Sequence, residues 1–362
     1  MNFDIPAFMF YGSKFDVIDL PLPRNGIAHD WALLHEESPK NVPALSHLEV
    51  LELFNLTATF SRKSHFPITL QYLKNKDVLT DMKYFVPLNK KEELLSDLAP
   101  IIYVHSDCST PLERDAYAQE LMKYIQVDSY GKCKFKEKYQ STKIITTSFL
   151  HFISRYKFTL SFENAVCEDY ITEKLWRPLI VGSVPIYMGS PSVRDWLPNK
   201  NSAILASDFK SPKELAQYIL TLNSNITKYK SHLQHKLGNE NEKITNNKLL
   251  ESIENRKWGI DNDFDKGNFI EHFECYVCKH EHKKIVGDKI EVPSVNTDHY
   301  NCSKPISPLS GKENAENWWL DQWYMGRCEA RVLKKFIEIG KNDYKYDEFY
   351  DELKNMFTNK SC

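Results

Sequence analysis

Two apolar segments near the middle of the chain, FTLSFEN (158–164) and SVPIYMG (183–189), flank the helix-like segment DYITEKLWRPLIVG (169–182). Short runs rich in β-branched and aromatic residues are typical of buried strands. Two such strands joined by a single helix form a right-handed βαβ unit with parallel strands. The unit predicts an α/β fold in which ligands bind beyond the carboxyl ends of the strands, where Glu163 and Asn164 lie.

The same alternation of strands and helices continues on both sides of this unit. Further elements are predicted over 8–12, 29–38, 48–61, 100–106, 111–125 and 126–131. At 362 residues the chain exceeds one ordinary hydrophobic core, which stops growing at about 250 to 300 residues. We therefore expect an incomplete α/β lobe over 1–95, a Rossmann-like lobe over 96–260 and a cysteine-bearing C-terminal extension over 261–362.

Charge and sequons narrow the class of protein. The formal charge of −2, from 47 basic and 49 acidic residues, gives no reason to expect a nucleic-acid partner. No apolar run approaches the roughly 20 residues of a membrane span, and MNFDIPAFMFYG lacks the pattern of a signal peptide. Four glycosylation sequons favour a glycosylated protein of the secretory pathway, and their asparagines are Asn55, Asn225, Asn301 and Asn359.

Five of the eight cysteines lie in the last quarter of the chain. The segment CYVCKHEH, with Cys302, has the ligand types of a zinc site. An oxidising compartment favours disulfides instead, and the sequence leaves their connectivity open. The disulfide candidates are Cys275, Cys278, Cys302 and Cys328.

The start of the segment 169–182 has the features of a nucleotide site. Thr172 is suited to cap a helix, and the free amides and dipole at a helix N-terminus favour phosphate. Lys174 adds a positive charge, whereas the Glu173 carboxylate is suited to accept hydrogen bonds from a ribose diol. The alternative is an ordinary solvated Glu-Lys pair on an exposed helix face.

Four runs of the sequence resemble the donor-binding signature of the α1,3-fucosyltransferases, which transfer fucose from GDP-fucose with inversion: YKF, FEN, YITEKL and GSVPIYMGSP. Four others are similar to the animal branch that contains the tenth and eleventh fucosyltransferases: HDWALLHEESPKN, LFNLTATFSRKSHFPITLQYL, RDAYAQELMKYIQVDSYGKC and FECYVC. The resemblance implies a GT-B-like arrangement of two Rossmann-like lobes, with the acceptor lobe first. Family members usually have a membrane anchor and earlier strands ahead of this region, so the resemblance implies a truncated N-terminal lobe.

The resemblance also implies residue roles. Residues of the GDP-fucose site are implied at Arg114, Lys157, Glu163, Asn164, Tyr170, Glu173 and Lys174. Among them, Glu173 is implied to bind the ribose, and Lys174 and Arg114 the diphosphate. This cationic set predicts a reaction that needs no metal or other cofactor. Asp261-Asn262-Asp263 matches the DxD pattern of manganese-dependent transferases, but its Gly- and Asp-rich surroundings favour a turn.

One carboxylate is expected to act as the catalytic base. A phosphate leaving group needs no proton, so the base alone suffices. The segment HEESP offers Glu36 and Glu37, and the family places its base directly before Ser-Pro, which selects Glu37. In an extended segment Glu36 points to the opposite side. His35 is either a helper in the acceptor site or a packed histidine.

The branch-level resemblance implies a Ser or Thr acceptor on folded EMI-type domains of secreted proteins, modified in the endoplasmic reticulum. The broader family implies α1,3-fucosylation of GlcNAc on N-glycans or Lewis-type chains in the Golgi. A third hypothesis is a catalytically silent protein that binds a GDP-sugar or a glycoprotein. The expected location is the lumen of the endoplasmic reticulum or Golgi, where full-length relatives are single-pass type II membrane proteins.

Overall fold

The computed structural model describes residues 6–24, 29–132, 147–260, 266–289, 291–359 and 361–362. The strands of the described chain are β1 (Ala7–Tyr11), β2 (Asp30–His35), β3 (Leu56–Thr59), β4 (Ile101–His105), β5 (Val127–Gly131), β6 (Phe158–Phe162), β7 (Val184–Met188) and β8 (Ile204–Leu205). Its helices are α1 (Leu48–Leu51), α2 (Asp77–Thr80), α3 (Leu88–Leu94), α4 (Arg114–Met122), α5 (Thr147–Ser154), α6 (Glu173–Val181), α7 (Pro212–Asn223), α8 (Ile226–Lys230), α9 (Gln234–Leu237), α10 (Asn247–Asn255), α11 (Phe269–Ile285), α12 (Trp318–Glu338) and α13 (Tyr346–Thr358). The strands form two parallel sheets, which confirms the predicted two-lobed α/β fold.

The first sheet has the order β1-β2-β3, and both of its strand pairs are parallel. Its central strand β2 is buried at every residue. Such a strand is covered on both faces, which explains why DWALLH is an almost continuous apolar run rather than an alternating one. The strand ends at His35, so Glu36 and Glu37 lie at the carboxyl edge of this sheet.

The second sheet has the order β5-β4-β6-β7-β8 with all strands parallel. The chain runs outward from β4 to β5 and then returns to the other side of β4 for β6, β7 and β8. The strand order therefore reverses between β4 and β6, and ligands of open α/β sheets bind at the carboxyl ends of such a pair. Arg114, which begins α4 after β4, and Asn164, which follows β6, meet at this point.

The C-terminal helices pack on the first sheet. Phe336 of α12 and Phe349 of α13 belong to the same hydrophobic cluster as Trp31 and Leu33 of β2. Gly326 of α12 lies against the 3-10 helix Pro43–Ser46, where an added Cβ would come within 2.8 Å of backbone atoms. Only glycine permits this close approach, so the C-terminal segment is built onto the lobe that carries Glu37.

The two lobes are linked by charge and by a disulfide. Arg62, which follows β3, donates to both carboxylate oxygens of Asp169 in the second lobe. This pairing outweighs the burial of Asp169, which would raise its pKa, and the net effect is a lowered pKa. Cys167 is bonded to Cys302 of the C-terminal segment, 135 residues away. Both links lie within three residues before Tyr170 and therefore restrain its position.

The disulfide predictions are confirmed in part. Cys302 is paired with Cys167, and Cys328 with Cys362. The prediction for Cys275 and Cys278 is wrong, because both are free and exposed. They lie three residues apart within α11, and such Cβ atoms are about 5–6 Å apart, whereas a disulfide needs about 3.5–4.5 Å.

The structure bears only in part on the DxD segment, Cys133, the glycosylation sequons and a membrane span. Asp261-Asn262-Asp263 and Cys133 lie outside the described residues. Glycosylation at the four sequons stays a prediction, although the side chain of Asn225 already serves as the N-cap of α8 by accepting from Lys228 N. In the described part of the chain, no helix combines the length and apolar character that a membrane span requires.

Candidate active site between the two lobes

The N-terminus of α6 is held by a buried carboxylate. Glu163, which follows β6, accepts hydrogen bonds from Thr172 N at 2.8 Å and from Thr172 Oγ1 at 2.7 Å. Thr172 is the predicted N-cap, and its hydroxyl accepts from Lys174 N at 3.3 Å. Burial raises the pKa of Glu163. An added Cβ at Gly189 would lie 2.6 Å from Glu163 Cγ, so the packing around this carboxylate is complete.

Glu173 and Lys174 lie together in the first turn of α6. Lys174 Nζ is 3.0 Å from Thr172 Oγ1, 3.4 Å from Glu173 Oε1 and 3.6 Å from Glu163 Oε2. Burial would raise the pKa of Glu173, but the charges of Lys174 and Arg177 outweigh it and lower that pKa. Glu173 is therefore ionised and accepts hydrogen bonds, while Lys174 and the helix amides present positive potential.

Arg114 is buried where β4 and β6 diverge. Its Nη1 donates to Phe162 O at 3.1 Å and to Asn164 Oδ1 at 2.7 Å, and its Nη2 donates to Asp107 O at 2.9 Å. Its Nε has no hydrogen-bond partner among the described residues. A fixed guanidinium with a remaining donor at a switch point is suited to bind phosphate oxygens.

Glu37 faces these groups from the first lobe. Its Oε2 accepts from the Tyr170 hydroxyl at 3.2 Å, and its backbone carbonyl accepts from the Tyr300 hydroxyl at 2.7 Å. Burial and the neighbouring Glu36 raise the pKa of Glu37, and the charge of Lys174 opposes that rise. Glu36 instead accepts from the Tyr11 hydroxyl, so the two carboxylates have separate partners, as the extended geometry predicts.

His35 packs in the core of the first lobe. Its side chain is fully buried, and its ring lies 5.1 Å from that of Tyr300. Burial lowers its pKa to about 3, so the ring is neutral at physiological pH. Neither ring nitrogen has a hydrogen-bond partner in the part of the chain that the structure describes. Of the two alternatives left by the sequence, the structure favours the packed histidine.

The predicted donor contact of Lys157 is wrong. Lys157 immediately precedes β6 and therefore lies at the opposite end of that strand from Glu163. Its buried Nζ donates to Glu92 Oε1 at 2.7 Å and to Asn223 O at 2.8 Å. It also lies 4.8 Å from the ring centroid of Tyr229. Lys157 thus ties helices to the amino edge of the sheet and does not reach a ligand at the carboxyl edge.

Sequence reasoning missed three residues of the cleft. Tyr300 supports the backbone of Glu37, and partial burial, together with the charges of Glu37 and Glu173, raises the pKa of the half-buried Tyr72. Lys40 forms an ion pair with Asp107 of the second lobe. These residues belong to loops and short helical turns without periodicity, and they meet the site only through the packing of the two lobes.

The described residues thus bring cationic groups at the carboxyl edge of one parallel sheet close to a carboxylate of raised pKa on the second α/β lobe. Such an arrangement is suited to a nucleotide-dependent transferase that activates an acceptor hydroxyl.

Comparison with known proteins identifies the family. Residues 92–290 match the family model "Glycosyltransferase family 10 (fucosyltransferase) C-term". GDP-fucose protein O-fucosyltransferase 3 from Bos taurus is 44% identical over 358 residues, which cover 95% of this chain and 74% of that protein. The Homo sapiens protein of the same name is 44% identical over 359 residues with the same coverage. The chain therefore belongs to glycosyltransferase family 10 and is a fucosyltransferase.

Solved structures of α1,3-fucosyltransferase are also similar in part. A crystal structure with GDP has 19% sequence identity and a TM-score of 0.45, covering 71% of this chain and 75% of that chain. A crystal structure with GDP-fucose has 18% identity and a TM-score of 0.43, covering 73% and 80% of the two chains.

Proposed function

We propose that this protein transfers L-fucose from GDP-fucose to a Ser or Thr hydroxyl on folded, EMI-type domains of secreted proteins, with inversion at the anomeric carbon. The donor and the protein acceptor are supported by relatives named GDP-fucose protein O-fucosyltransferase 3. The EMI-type acceptor rests on the sequence resemblance to one animal branch of the family. For acceptors that are secreted proteins, we expect the reaction to occur in the lumen of the endoplasmic reticulum or Golgi.

The observation that carries this proposal is the position of Glu37. It bonds to Tyr170 of the donor lobe, and its raised pKa makes its carboxylate a stronger base than an exposed glutamate. In the proposed reaction Glu37 removes the proton from the acceptor hydroxyl while that oxygen attacks the anomeric carbon. The attack comes from the side opposite the diphosphate, which accounts for inversion.

The donor lobe supplies the other half of the mechanism. Glu173 accepts from the ribose hydroxyls, while Lys174, Arg114 and the free amides of α6 hold the diphosphate. Negative charge grows on the diphosphate as the bond between the anomeric carbon and the phosphate oxygen breaks. One well-placed hydrogen-bond donor typically lowers such a barrier by about 2.7–4 kcal/mol. Because Lys174, Arg114 and the helix amides supply the positive charge that a metal ion would otherwise supply, we expect EDTA to leave transfer intact. Complete loss with EDTA that manganese restores would contradict this part of the proposal.

The acceptor class is tested with labelled GDP-fucose and three reactions: an EMI-domain protein, an N-glycopeptide, and no acceptor. We expect label on Ser or Thr of the EMI-domain protein, and none of it released by a peptide N-glycosidase. Label in the glycan of the N-glycopeptide would instead identify an α1,3-fucosyltransferase of N-glycans. Binding of GDP-fucose without any product would identify a silent binding protein.

A further inference from the structure

The ion pair between Lys40 and Asp107 crosses the cleft. Lys40 lies three residues beyond Glu37 in the first lobe, and Asp107 lies in the loop that follows β4 in the second lobe. The two side chains are 21% and 35% exposed, so the pair lies at the edge of the cleft rather than in a dry core. An ion pair in such a position exchanges partners at a small cost, because exposed pairs contribute little net stability.

Lys40 shares its surroundings with the groups that the mechanism uses. Burial and the charge of Arg114 lower the pKa of Lys40, whereas the charge of Glu37 raises it. Asp107 joins the two cations, because its carboxylate pairs with Lys40 and its backbone carbonyl accepts from Arg114 Nη2 at 2.9 Å. Two cations from opposite lobes therefore converge on one acidic residue beside the switch point between β4 and β6.

The loop that carries Asp107 is anchored from the C-terminal segment. Trp319 Nε1 donates to Ser109 Oγ at 2.9 Å, and Asn317 Nδ2 donates to Pro111 O at 3.2 Å. Glu113, at the end of the loop, has a left-handed φ of 52°. A non-glycine residue in this conformation persists where its surroundings fix it, so the loop is the rigid partner. Lys40 Nζ also lies 5.7 Å from the ring centroid of Trp319, so Asp107 and this ring are its contacts without donor.

We propose that Lys40 is a ligand of the donor diphosphate that the acceptor lobe contributes. This inference rests on the proposed function. Without donor, the Asp107 carboxylate binds Lys40 in the place of a phosphate oxygen. When GDP-fucose binds, Lys40 exchanges Asp107 for the diphosphate and joins Arg114 and Lys174 around the leaving group. Because Lys40 follows Glu37 closely in the chain, the contact between Lys40 and the diphosphate also positions Glu37 relative to the donor.

The alternative is a fixed ion pair that only joins the lobes, and two substitutions separate the hypotheses. Calorimetric titrations with GDP and with guanosine would compare the wild type with Lys40→Met and Asp107→Asn. We expect Lys40→Met to bind GDP about ten- to a hundredfold more weakly, the effect of one lost hydrogen bond to a charged group, while guanosine affinity is unchanged. Asp107→Asn should bind GDP at least as tightly as the wild type, because a competing carboxylate is gone.

Two controls complete the design. Lys40→Arg retains the charge and should retain most GDP affinity, even if Lys40→Met does not fold. Lys90→Met removes an exposed lysine that pairs with Glu93, and it should bind GDP like the wild type. Equal weakening of GDP binding by Lys40→Met and Asp107→Asn, or a parallel loss of guanosine affinity, would overturn the inference. Unchanged GDP affinity in Lys40→Met would also overturn the inference. If the wild type transfers fucose in that case, the proposed function stands and only the role of Lys40 is refuted.

Discussion

Replacement of Arg114 tests whether this side chain both stabilises the fold around the proposed diphosphate site and binds the diphosphate. Its guanidinium pairs with three acceptors, which are the carbonyl oxygens of Phe162 and Asp107 and the Oδ1 of Asn164. Each buried acceptor that loses its partner costs about 1–3 kcal/mol, and water that enters the truncated site recovers part of this. We therefore expect Arg114→Ala to lower the free energy of unfolding by about 2–4 kcal/mol.

Arg114→Lys separates charge from geometry. The lysine ammonium retains the positive charge, but it lacks the planar fork that reaches three acceptors and a phosphate together. We expect a loss of about 1–2 kcal/mol in stability, because not every acceptor stays paired. GDP affinity should fall about tenfold or more, since charge-assisted fork contacts are among the strongest hydrogen bonds.

The assay combines urea denaturation with titration of GDP and guanosine into each variant. We expect GDP affinity to fall far more than guanosine affinity, because only GDP carries the diphosphate. Wild-type GDP affinity in Arg114→Lys would refute the assigned role. An equal loss for both ligands would show that Arg114 acts only by holding the pocket together.

Three further predictions concern Tyr170, Lys157 and the thiols. Tyr170→Phe removes a hydrogen bond that lowers the pKa of Glu37, so the acid limb of the pH–rate profile should move to higher pH; an unmoved limb would contradict Glu37 as the base. Lys157→Met should reduce stability by about 1–3 kcal/mol in urea denaturation and leave GDP affinity within about twofold of the wild type; a selective loss of GDP binding would restore the donor role. Alkylation of the unreduced protein followed by mass spectrometry should label Cys275 and Cys278 but not Cys302 or Cys328; protection of the first two would contradict the structure.

The central βαβ unit was predictable because its signals are local and agree with one another. A buried strand, a capping threonine, an amphipathic helix and a second buried strand follow one another in the chain. They place Glu163, Asn164, Glu173 and Lys174 at the carboxyl edge of the sheet. The meeting of Arg114 with Asn164 also follows from strand order, since Arg114 begins the helix that follows β4 and Asn164 follows β6, at the point where the strand order reverses.

The failures have equally specific causes. Lys157 is near Glu163 in the sequence, but a five-residue strand separates them and carries them to opposite edges of the sheet. Cys275 and Cys278 have the spacing of a disulfide or metal motif, yet the surrounding residues form one continuous helix with a capping box at Asn268. Lys40 contacts Asp107 only because the two lobes pack together, and the periodicity of a sequence does not predict a contact between lobes.

Glu37→Gln, an isosteric change that removes the basic carboxylate, tests directly whether Glu37 is the catalytic base. The variant should bind GDP as the wild type does, because Glu37 lies on the acceptor lobe. In single-turnover assays with GDP-fucose and an EMI-domain protein, transfer should fall by at least a hundredfold, the usual scale for loss of a general base. Transfer at the wild-type rate, or a loss of GDP binding equal to the loss of transfer, would contradict the role of Glu37 as the base.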